Sequence, residues 1–219
     1  MVAMLRLVEL DSGTIVMDGV DASQVGLSLL RSSIAVIPQD PVLFSGTIRS
    51  NLDPFGTYSD DSLYRVLNRV GLYYTASASG ENGRSYSSSS LASLVSQSHV
   101  QSLEDAVSEG GINFSVGQRQ LVVIARALLC GASIVIMDEA TAATDADTDA
   151  RIQSVMRTEF AKATCITVAH RLNTIMDSDY ILVMHDGRAA EFDKPKVLLR
   201  RPGGFFRELV EASASTGSG

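Results

Sequence analysis

The stretch Ser133-Ile134-Val135-Ile136-Met137-Asp138-Glu139 decides the fold of this chain. Four consecutive apolar residues follow the serine, and two acidic residues end the run. An uninterrupted apolar segment of this length is typical of a strand in a parallel sheet that is buried on both faces. Such a strand delivers its last residues to the sheet edge where α/β proteins bind ligands. The stretch therefore predicts an acidic site in an α/β fold.

Two other apolar segments predict neighbouring strands. Ile34–Ile37 is followed directly by Pro38-Gln39, and the segment 165–169 is followed by His170. Helical patterns separate the three segments, and apolar strands that alternate with helices predict a parallel sheet with helices on both faces. Since parallel strands end at one edge of the sheet, we expect Gln39, Asp138 and His170 to lie along that edge.

Weaker patterns predict further elements, and the chain shows no internal repeat. The predicted elements are the end of a helix over 1–10, a strand over 14–17, a helical turn over 27–30, a helix over 60–70 capped by Asp60 or Asp61, a helix over 115–129 capped by Ser115, a helix over 147–161, a helix around 172–176, a strand over 180–184, a hairpin at 185–188 and an amphipathic stretch over 194–209.

The residues that end the strands suit phosphate chemistry with a metal ion. One acid of Asp138-Glu139 can hold Mg²⁺, usually through water, while the other orients and polarises an attacking water. His170 can donate a hydrogen bond to a terminal phosphate, and Gln39 can ligate Mg²⁺ or place a water. The alternatives are an acidic turn that caps the next helix and a histidine with a structural role.

Ser115-Val116-Gly117-Gln118 lies where a helix is predicted to begin. Backbone N–H groups are unpaired there and the helix dipole is positive, so the position suits an anion. Ser115 can offer its hydroxyl, and Gly117 would let a phosphate approach the backbone closely. An ordinary serine-capped helix is the alternative interpretation.

Composition and charge exclude several classes of protein. The chain of 219 residues has a net charge of −7, which argues against nucleic-acid binding because such proteins carry a basic face. No apolar run approaches the ~20 residues that span a bilayer. Cys130 and Cys165 lie in apolar runs without a C-x-x-C spacing, so we expect two reduced, buried thiols and a cytosolic compartment.

One segment differs in composition from the rest. Eleven of the 26 residues from 77 to 102 are serine, which predicts a flexible surface insertion. Phosphorylation of this insertion is an open alternative. The last residues, 213–219, are rich in serine and glycine and are predicted to be a disordered tail. Residues 1–212 then form one partial domain.

Several long motifs in fixed order carry a family resemblance. They lie at residues 38–49, 51–55, 115–120, 138–142 and 169–172. Together they resemble the nucleotide-binding domain of ABC transporters over nearly the whole chain. More narrowly, they are similar to the second nucleotide-binding domain of subfamily C, the multidrug-resistance-associated group. Soluble ABC proteins of DNA repair or translation fit less well, given the acidic charge and the strings at 43–48 and 51–55.

The resemblance implies a role for each candidate residue. Asp138 would be the Walker B carboxylate that serves Mg²⁺, Glu139 the catalytic base and His170 the switch histidine. Gln39 would be the Q-loop residue that links the nucleotide site and its Mg²⁺ to the membrane helices. Asp145 would close the D-loop, where Thr144 stands in place of the usual aliphatic residue.

The signature motif would serve a different ATP molecule. Ser115, Gly117 and Gln118 would contact the ATP of a second nucleotide-binding domain, because two such domains stack head to tail and enclose two ATP molecules. The resemblance also implies a P-loop NTPase-type fold with a helical signature subdomain over about 42–130. It implies ATP and Mg²⁺ as cofactors, no nucleic acid, and transmembrane domains as partners at the cytoplasmic face of a membrane.

One motif of the family is absent from these 219 residues. No G-x-x-x-x-G-K-[ST] occurs, so the phosphate loop, its lysine and its Mg²⁺-binding hydroxyl are expected before Met1, and the domain is interpreted as N-terminally truncated. We expect the isolated chain to show negligible ATPase activity. The alternative function is a non-catalytic fragment that at most contributes its signature motif to a partner domain's ATP site.

Overall fold

A computed structural model describes residues 2–73, 100–138, 146–168 and 175–216. The chain divides into two compact units, Met1–Thr167 and Val168–Gly219, which are described separately. Residues 77–99 of the serine-rich insertion predicted over 77–102, residues 172–174 of the helix predicted around 172–176 and residues 217–219 of the tail predicted over 213–219 lie outside the described residues. Residues 213–216 of that tail belong to the last helix.

The described residues contain nine β-strands and seven α-helices. The strands are β1 Val16–Met17, β2 Val20–Asp21, β3 Ile34–Ile37, β4 Gly46–Thr47, β5 Ala106–Val107, β6 Ile134–Asp138, β7 Thr164–Val168, β8 Ile181–His185 and β9 Arg188–Asp193. The helices are α1 Leu27–Ser32, α2 Ile48–Leu52, α3 Asp60–Arg69, α4 Val116–Cys130, α5 Ala146–Glu159, α6 Pro195–Leu198 and α7 Phe205–Thr216.

The central sheet of the first unit has the strand order β3-β6-β7. β3 and β6 are parallel, with Ile34 opposite Ile134 and Ile37 opposite Met137. Ile37 and Ile136 are fully buried, as their apolar runs require. This sheet confirms the predicted α/β fold, and the P-loop NTPase-type assignment agrees with it.

Helices α2, α3 and α4 pack around one apolar core in the same unit. α4 supplies the middle of this core, because its apolar residues are buried along most of its length. The largest fully buried side chains here are Ile37, Leu43, Ile48, Leu63, Leu67, Leu72, Leu103, Ile124 and Ile152. Burying side chains of this size contributes about 1.5–3 kcal/mol each, so this core fixes where α4 begins.

The second unit is a hairpin with two short helices. β8 and β9 pair antiparallel across the turn Asp186-Gly187, where both residues have a positive φ. Ile181, Val183, Leu198 and Phe206 form its buried core. The hairpin predicted around residues 185–188 is therefore confirmed.

Two details of the predictions are wrong. Residues 2–10 form turns and no helix, because the Arg6 guanidinium donates to the Ala22, Ser23 and Val25 carbonyls and holds the segment folded back. The N-cap of α3 is Ser59, whose hydroxyl accepts from the Ser62 N–H, so neither Asp60 nor Asp61 caps it. Both Asp60 and Asp61 lie in its first turn.

The amphipathic stretch predicted over 194–209 contains α6 and the start of α7, which Pro202-Gly203-Gly204 separates, and Gly203 has φ 67°. One further expectation fails. Cys130 and Cys165 are free thiols, as expected, but both are exposed. Cys130 is the last residue of α4, and Cys165 lies on β7, at the edge of the described sheet. Within the described residues, no helix has the length and apolar character to cross a membrane.

Candidate functional site

Gln39 and Asp138 lie at the same edge of the central sheet. The pair Ile37 and Met137 ends the β3–β6 ladder, so the chain leaves both strands side by side. Asp138 is the last residue of β6 and is half-buried, while Gln39 follows two residues after β3 and is exposed. The parallel register thus brings an amide and a carboxylate to one edge, as the sequence predicted.

Three predicted site residues cannot be placed in this arrangement. Glu139, Asp145 and His170 lie outside the described residues. Glu139 directly follows Asp138, and His170 comes two residues after Val168, the end of β7.

The first turn of α4 is closed by a reciprocal pair of hydrogen bonds. The Ser115 hydroxyl accepts from the Gln118 N–H at 3.2 Å, and the Gln118 side-chain oxygen accepts from the Ser115 N–H at 2.8 Å. This arrangement is a capping box, and the pattern Ser-x-x-Gln predicts it from sequence. The sequence interpretation found the serine cap and missed the part that Gln118 plays in it.

The capping box leaves a small number of donors for an anion. Ser115 accepts a hydrogen bond, so its own O–H proton stays available, and the side chain is exposed. The N–H groups of Val116 and Gly117 belong to the first helical turn, where the helix offers no carbonyl partner. Gly117 is buried, so an anion would meet the Ser115 hydroxyl first.

The loop before α4 is held in place by a side chain of the helix itself. The Arg119 guanidinium donates to the carbonyls of Gly111 and Phe114, at 3.4 and 3.3 Å. Gly111 has φ 68°, and a Cβ there would lie 2.9 Å from the Arg119 Cδ and 3.0 Å from Leu43. Only glycine fits this close approach to Arg119 and Leu43. The approach sets the direction from which the chain reaches Ser115.

A cavity of about 340 Å³ opens beside the capping box. Its lining residues are Gln101, Asp105, Ala106, Asn113, Phe114 and Gln118. Most of their polar groups already have partners, since Asp105 accepts from the Gln101 and Ser102 N–H groups and Asn113 bonds Ser108 and Ala106. The cavity therefore offers few unpaired polar groups. It lies next to the signature residues, and the sequence patterns did not predict it.

The segment after Gln39 carries exposed apolar side chains on a well-anchored backbone. Phe44 is 69% exposed and Val42 is 55% exposed. The Arg126 guanidinium donates to the Val42 carbonyl at 3.1 Å and to the Asn51 side-chain oxygen at 2.7 Å. Phe44 lies over that guanidinium at 5.9 Å. Such a fixed apolar surface is suited to protein contacts.

The sequence of this chain is similar to proteins of one known family. The family model described as ABC transporter matches residues 1–142. The chain belongs to the ABC transporter family. The multidrug resistance protein mrp-7 of Caenorhabditis elegans is 47% identical over 212 residues, which cover 97% of this chain and 13% of that protein. ATP-binding cassette sub-family C member 2 of Rattus norvegicus is 43% identical over 209 residues, 95% of this chain and 12% of that protein.

A solved structure of the family has the same fold. The structure of a bacterial Atm1-family ABC exporter with ATP bound matches with a TM-score of 0.78 and 32% identity, covering 97% of this chain and 34% of that chain. The relatives named for subfamily C confirm the resemblance to a nucleotide-binding domain of that group. The chain spans 12–14% of the length of the curated relatives it matches.

Proposed function

We propose that this chain acts in the ATP-binding and ATP-hydrolysing motor domain of an ABC-type membrane exporter. The observation that carries the proposal is the β3–β6 register, which brings Gln39 and Asp138 to one edge of the sheet, beside the point where Glu139 follows. Family membership supports the same assignment. Within the transporter, this domain would be the second nucleotide-binding domain of subfamily C.

The described residues suit Mg²⁺ at this edge. Asp138 offers carboxylate oxygens and Gln39 an amide oxygen, and Mg²⁺ prefers oxygen ligands, usually few from the protein and the rest from phosphates and water. When bound, Mg²⁺ would neutralise charge on the phosphates of ATP.

Hydrolysis would use the residues that follow the strands. Glu139 would accept a proton from water as the water oxygen attacks the γ-phosphorus and the bond to the bridging oxygen of ADP breaks. His170 would donate a hydrogen bond to the γ-phosphate, and Asp145 would fix the neighbouring loop. The products are ADP and inorganic phosphate, and closure of the site would drive export.

The signature residues would act on the ATP of a partner domain. Ser115 would donate its hydroxyl, and the first turn of α4 would contribute its N–H groups and positive dipole. Gln118 would keep the turn formed through the capping box, and Gly117 would allow a close approach. The partner is a second nucleotide-binding domain stacked head to tail.

The remaining partners are the transmembrane domains of the exporter. The exposed Phe44 and Val42, next to Gln39, would face them on the cytoplasmic side of the membrane. The phosphate loop would come from polypeptide outside these 219 residues. The net charge of −7 argues against nucleic acid as a partner.

A cross-linking experiment tests the proposal. Ser115→Cys is introduced after Cys130 and Cys165, which are exposed, are changed to serine. A second cysteine is placed in the phosphate loop of the partner domain. We expect a disulfide that forms with ATP and not without it, while Ser154→Cys on the exposed surface of α5 forms none. Equal cross-linking of the two positions, or no effect of ATP on Ser115→Cys, would contradict the proposal.

A further inference from the structure

Gln120, on the second turn of α4, is a polar side chain in an apolar core. It is completely buried, and its neighbours along the helix, Leu121 and Val122, are buried as well. Burying a side-chain amide without full compensation costs about 1–3 kcal/mol in proteins. An apolar residue of the same length would avoid that cost, so stability does not explain a glutamine here.

The two ends of the Gln120 amide have different surroundings. Its Nε2 donates to the Pro38 carbonyl at 3.4 Å, a long hydrogen bond. Its Oε1 is buried and has no hydrogen-bond partner among the described residues. The hydrogen-bonding capacity of the amide is thus only partly used. The bond that it makes reaches Pro38, the residue directly before Gln39.

This bond joins two parts of the proposed machinery that are 82 residues apart in sequence. Pro38 lacks an N–H, and the ladder to β6 ends at Ile37, so the carbonyl of Pro38 lies where the sheet no longer holds the chain. At its other end, Gln120 belongs to the helix that begins at Ser115. Gln120 therefore connects the start of the Gln39 turn with the signature helix.

We propose that Gln120 is a positioning residue, whose amide holds the Pro38 carbonyl and so fixes the Gln39 turn relative to the signature helix. The inference rests on the proposed function, in which Gln39 serves the Mg-ATP site. Gln120 contacts no nucleotide in this role. It sets where Gln39 stands when the signature helix is in place.

The first test measures the turn itself and needs no ATPase activity. A nitroxide spin label is attached at Asp40→Cys in a cysteine-free background of the transporter, and its mobility is recorded by electron paramagnetic resonance. We expect Gln120→Met to increase the label's mobility, and Gln153→Met, a half-buried glutamine of α5, to leave it unchanged. Unchanged mobility in Gln120→Met would overturn the proposal.

The second test is a double-mutant cycle on ATP hydrolysis by the transporter. Gln120→Met should lower kcat/KM about three- to tenfold when Gln39 is present and have no effect in a Gln39→Ala background, because coupled residues are not additive. Equal losses in both backgrounds would show a general structural role and overturn the proposal. The thermal midpoint should not fall, because methionine removes an unsatisfied acceptor.

The two tests distinguish a failure of the proposed function from a failure of the role given to Gln120. A wild-type transporter that hydrolyses no ATP would contradict the proposed function, and the spin-label result would still decide the role of Gln120. If Gln120→Met does not fold, Gln120→Leu gives the same two comparisons. In either apolar variant, increased label mobility and non-additive effects of the Gln120 and Gln39 substitutions support the proposal, and unchanged mobility or additive losses contradict it.

Discussion

At the scale of single residues, Arg126 holds the segment that follows Gln39. Its guanidinium donates to the Asn51 carbonyl, the Asn51 side-chain oxygen and the Val42 carbonyl. Asn51 is buried and in turn bonds the Phe44 backbone through both ends of its amide. Burial lowers the pKa of Arg126 from its ordinary value, yet the guanidinium stays charged, because that value is far above neutral pH.

Replacement of Arg126 tests this arrangement. A lysine cannot reproduce the planar fork of donors, so Arg126→Lys should lower the free energy of unfolding by about 2–3 kcal/mol. Arg65→Lys, on the exposed surface of α3, is the matched control and should change it by less than about 0.5 kcal/mol. Urea unfolding of both variants measures the difference. Equal stabilities would contradict the role given to Arg126.

The hydrogen bonds to the Asp53 carboxylate should make the free energy of unfolding depend on pH. Burial raises the pKa of this carboxyl, but hydrogen bonds from the Tyr58, Thr57 and Phe55 N–H groups and the Thr57 hydroxyl outweigh burial and lower it below 3.8. A depressed pKa in the folded state means that the stabilisation is present above the unfolded value and is lost as the pH falls through the folded value. Asp53→Asn should therefore lose less stability than the wild type between pH 5 and pH 3. Equal losses of the free energy of unfolding in the wild type and Asp53→Asn between pH 5 and pH 3 would contradict this prediction.

The placement of Gln39 and Asp138 at one sheet edge was predictable from the sequence, while the roles of the site residues stay predictions. Asp138 and Gln39 follow apolar strands, and the register of β3 and β6 brings them to one edge as expected. Gln120 and Arg126 were not foreseen, because each lies in a helical pattern where a polar residue is ordinarily assigned to solvent. Only the fold shows that Pro38, Val42 and Asn51 approach them from far along the chain.

At the scale of elements, Glu191 fastens α7 to the hairpin of the second unit. It is a buried residue of β9, and its carboxylate accepts from the Phe206 N–H at 2.9 Å in the first turn of α7. Gly204 has no room for a side chain, since a Cβ there would lie 2.8 Å from the Glu191 Oε1. The carboxylate thus pairs an N–H that the helix leaves free.

Truncation of Glu191 should loosen that helix. Glu191→Ala is expected to lower the free energy of unfolding by about 2 kcal/mol, because the Phe206 N–H loses its buried acceptor. Glu191→Gln keeps an acceptor oxygen and should cost less than half as much. Hydrogen exchange at the Phe206 amide measures the effect locally. Faster exchange in Glu191→Gln than in Glu191→Ala would reverse the expected order and refute the capping role.

Elements with continuous apolar patterns were predicted well. β3 and α4 agree with the sequence interpretation to within one residue, because burial of their apolar side chains leaves no competing arrangement. Residues 2–10 were predicted wrongly for a local reason, because the Arg6 side chain ties the segment to the loop at 22–25. The amphipathic pattern over 194–209 does not show the break at Pro202-Gly203-Gly204 that separates α6 from α7.

At the scale of the whole molecule, the two halves of the proposed chemistry serve different ATP molecules. The sheet edge at Asp138 would act on the ATP of this domain's own phosphate loop, and Ser115 on that of the partner. The phosphate-loop pattern does not occur in these 219 residues. The domain boundary at 1–212, the signature subdomain at 42–130 and the tail at 213–219 stay predictions.

The 219-residue chain by itself should not turn over Mg-ATP. Loss of a single preorganised donor at a site of charge development costs about 2.7–4 kcal/mol, and here the loop's N–H groups and lysine are all absent from the sequence. Phosphate release from the purified chain should equal that of its Glu139→Gln variant. Turnover well above that control would contradict the assignment of the two halves.

Glu139 and its neighbours are proposed to hydrolyse ATP in a transporter. The most direct measurement is Mg-ATP hydrolysis by the full-length protein that carries this domain, comparing the wild type with Glu139→Gln and with Glu208→Gln on the exposed side of α7. We predict that Glu139→Gln lowers kcat at the site it serves by at least about 100-fold, as loss of a general base does, and that Glu208→Gln has no effect. Wild-type turnover in Glu139→Gln would contradict the account.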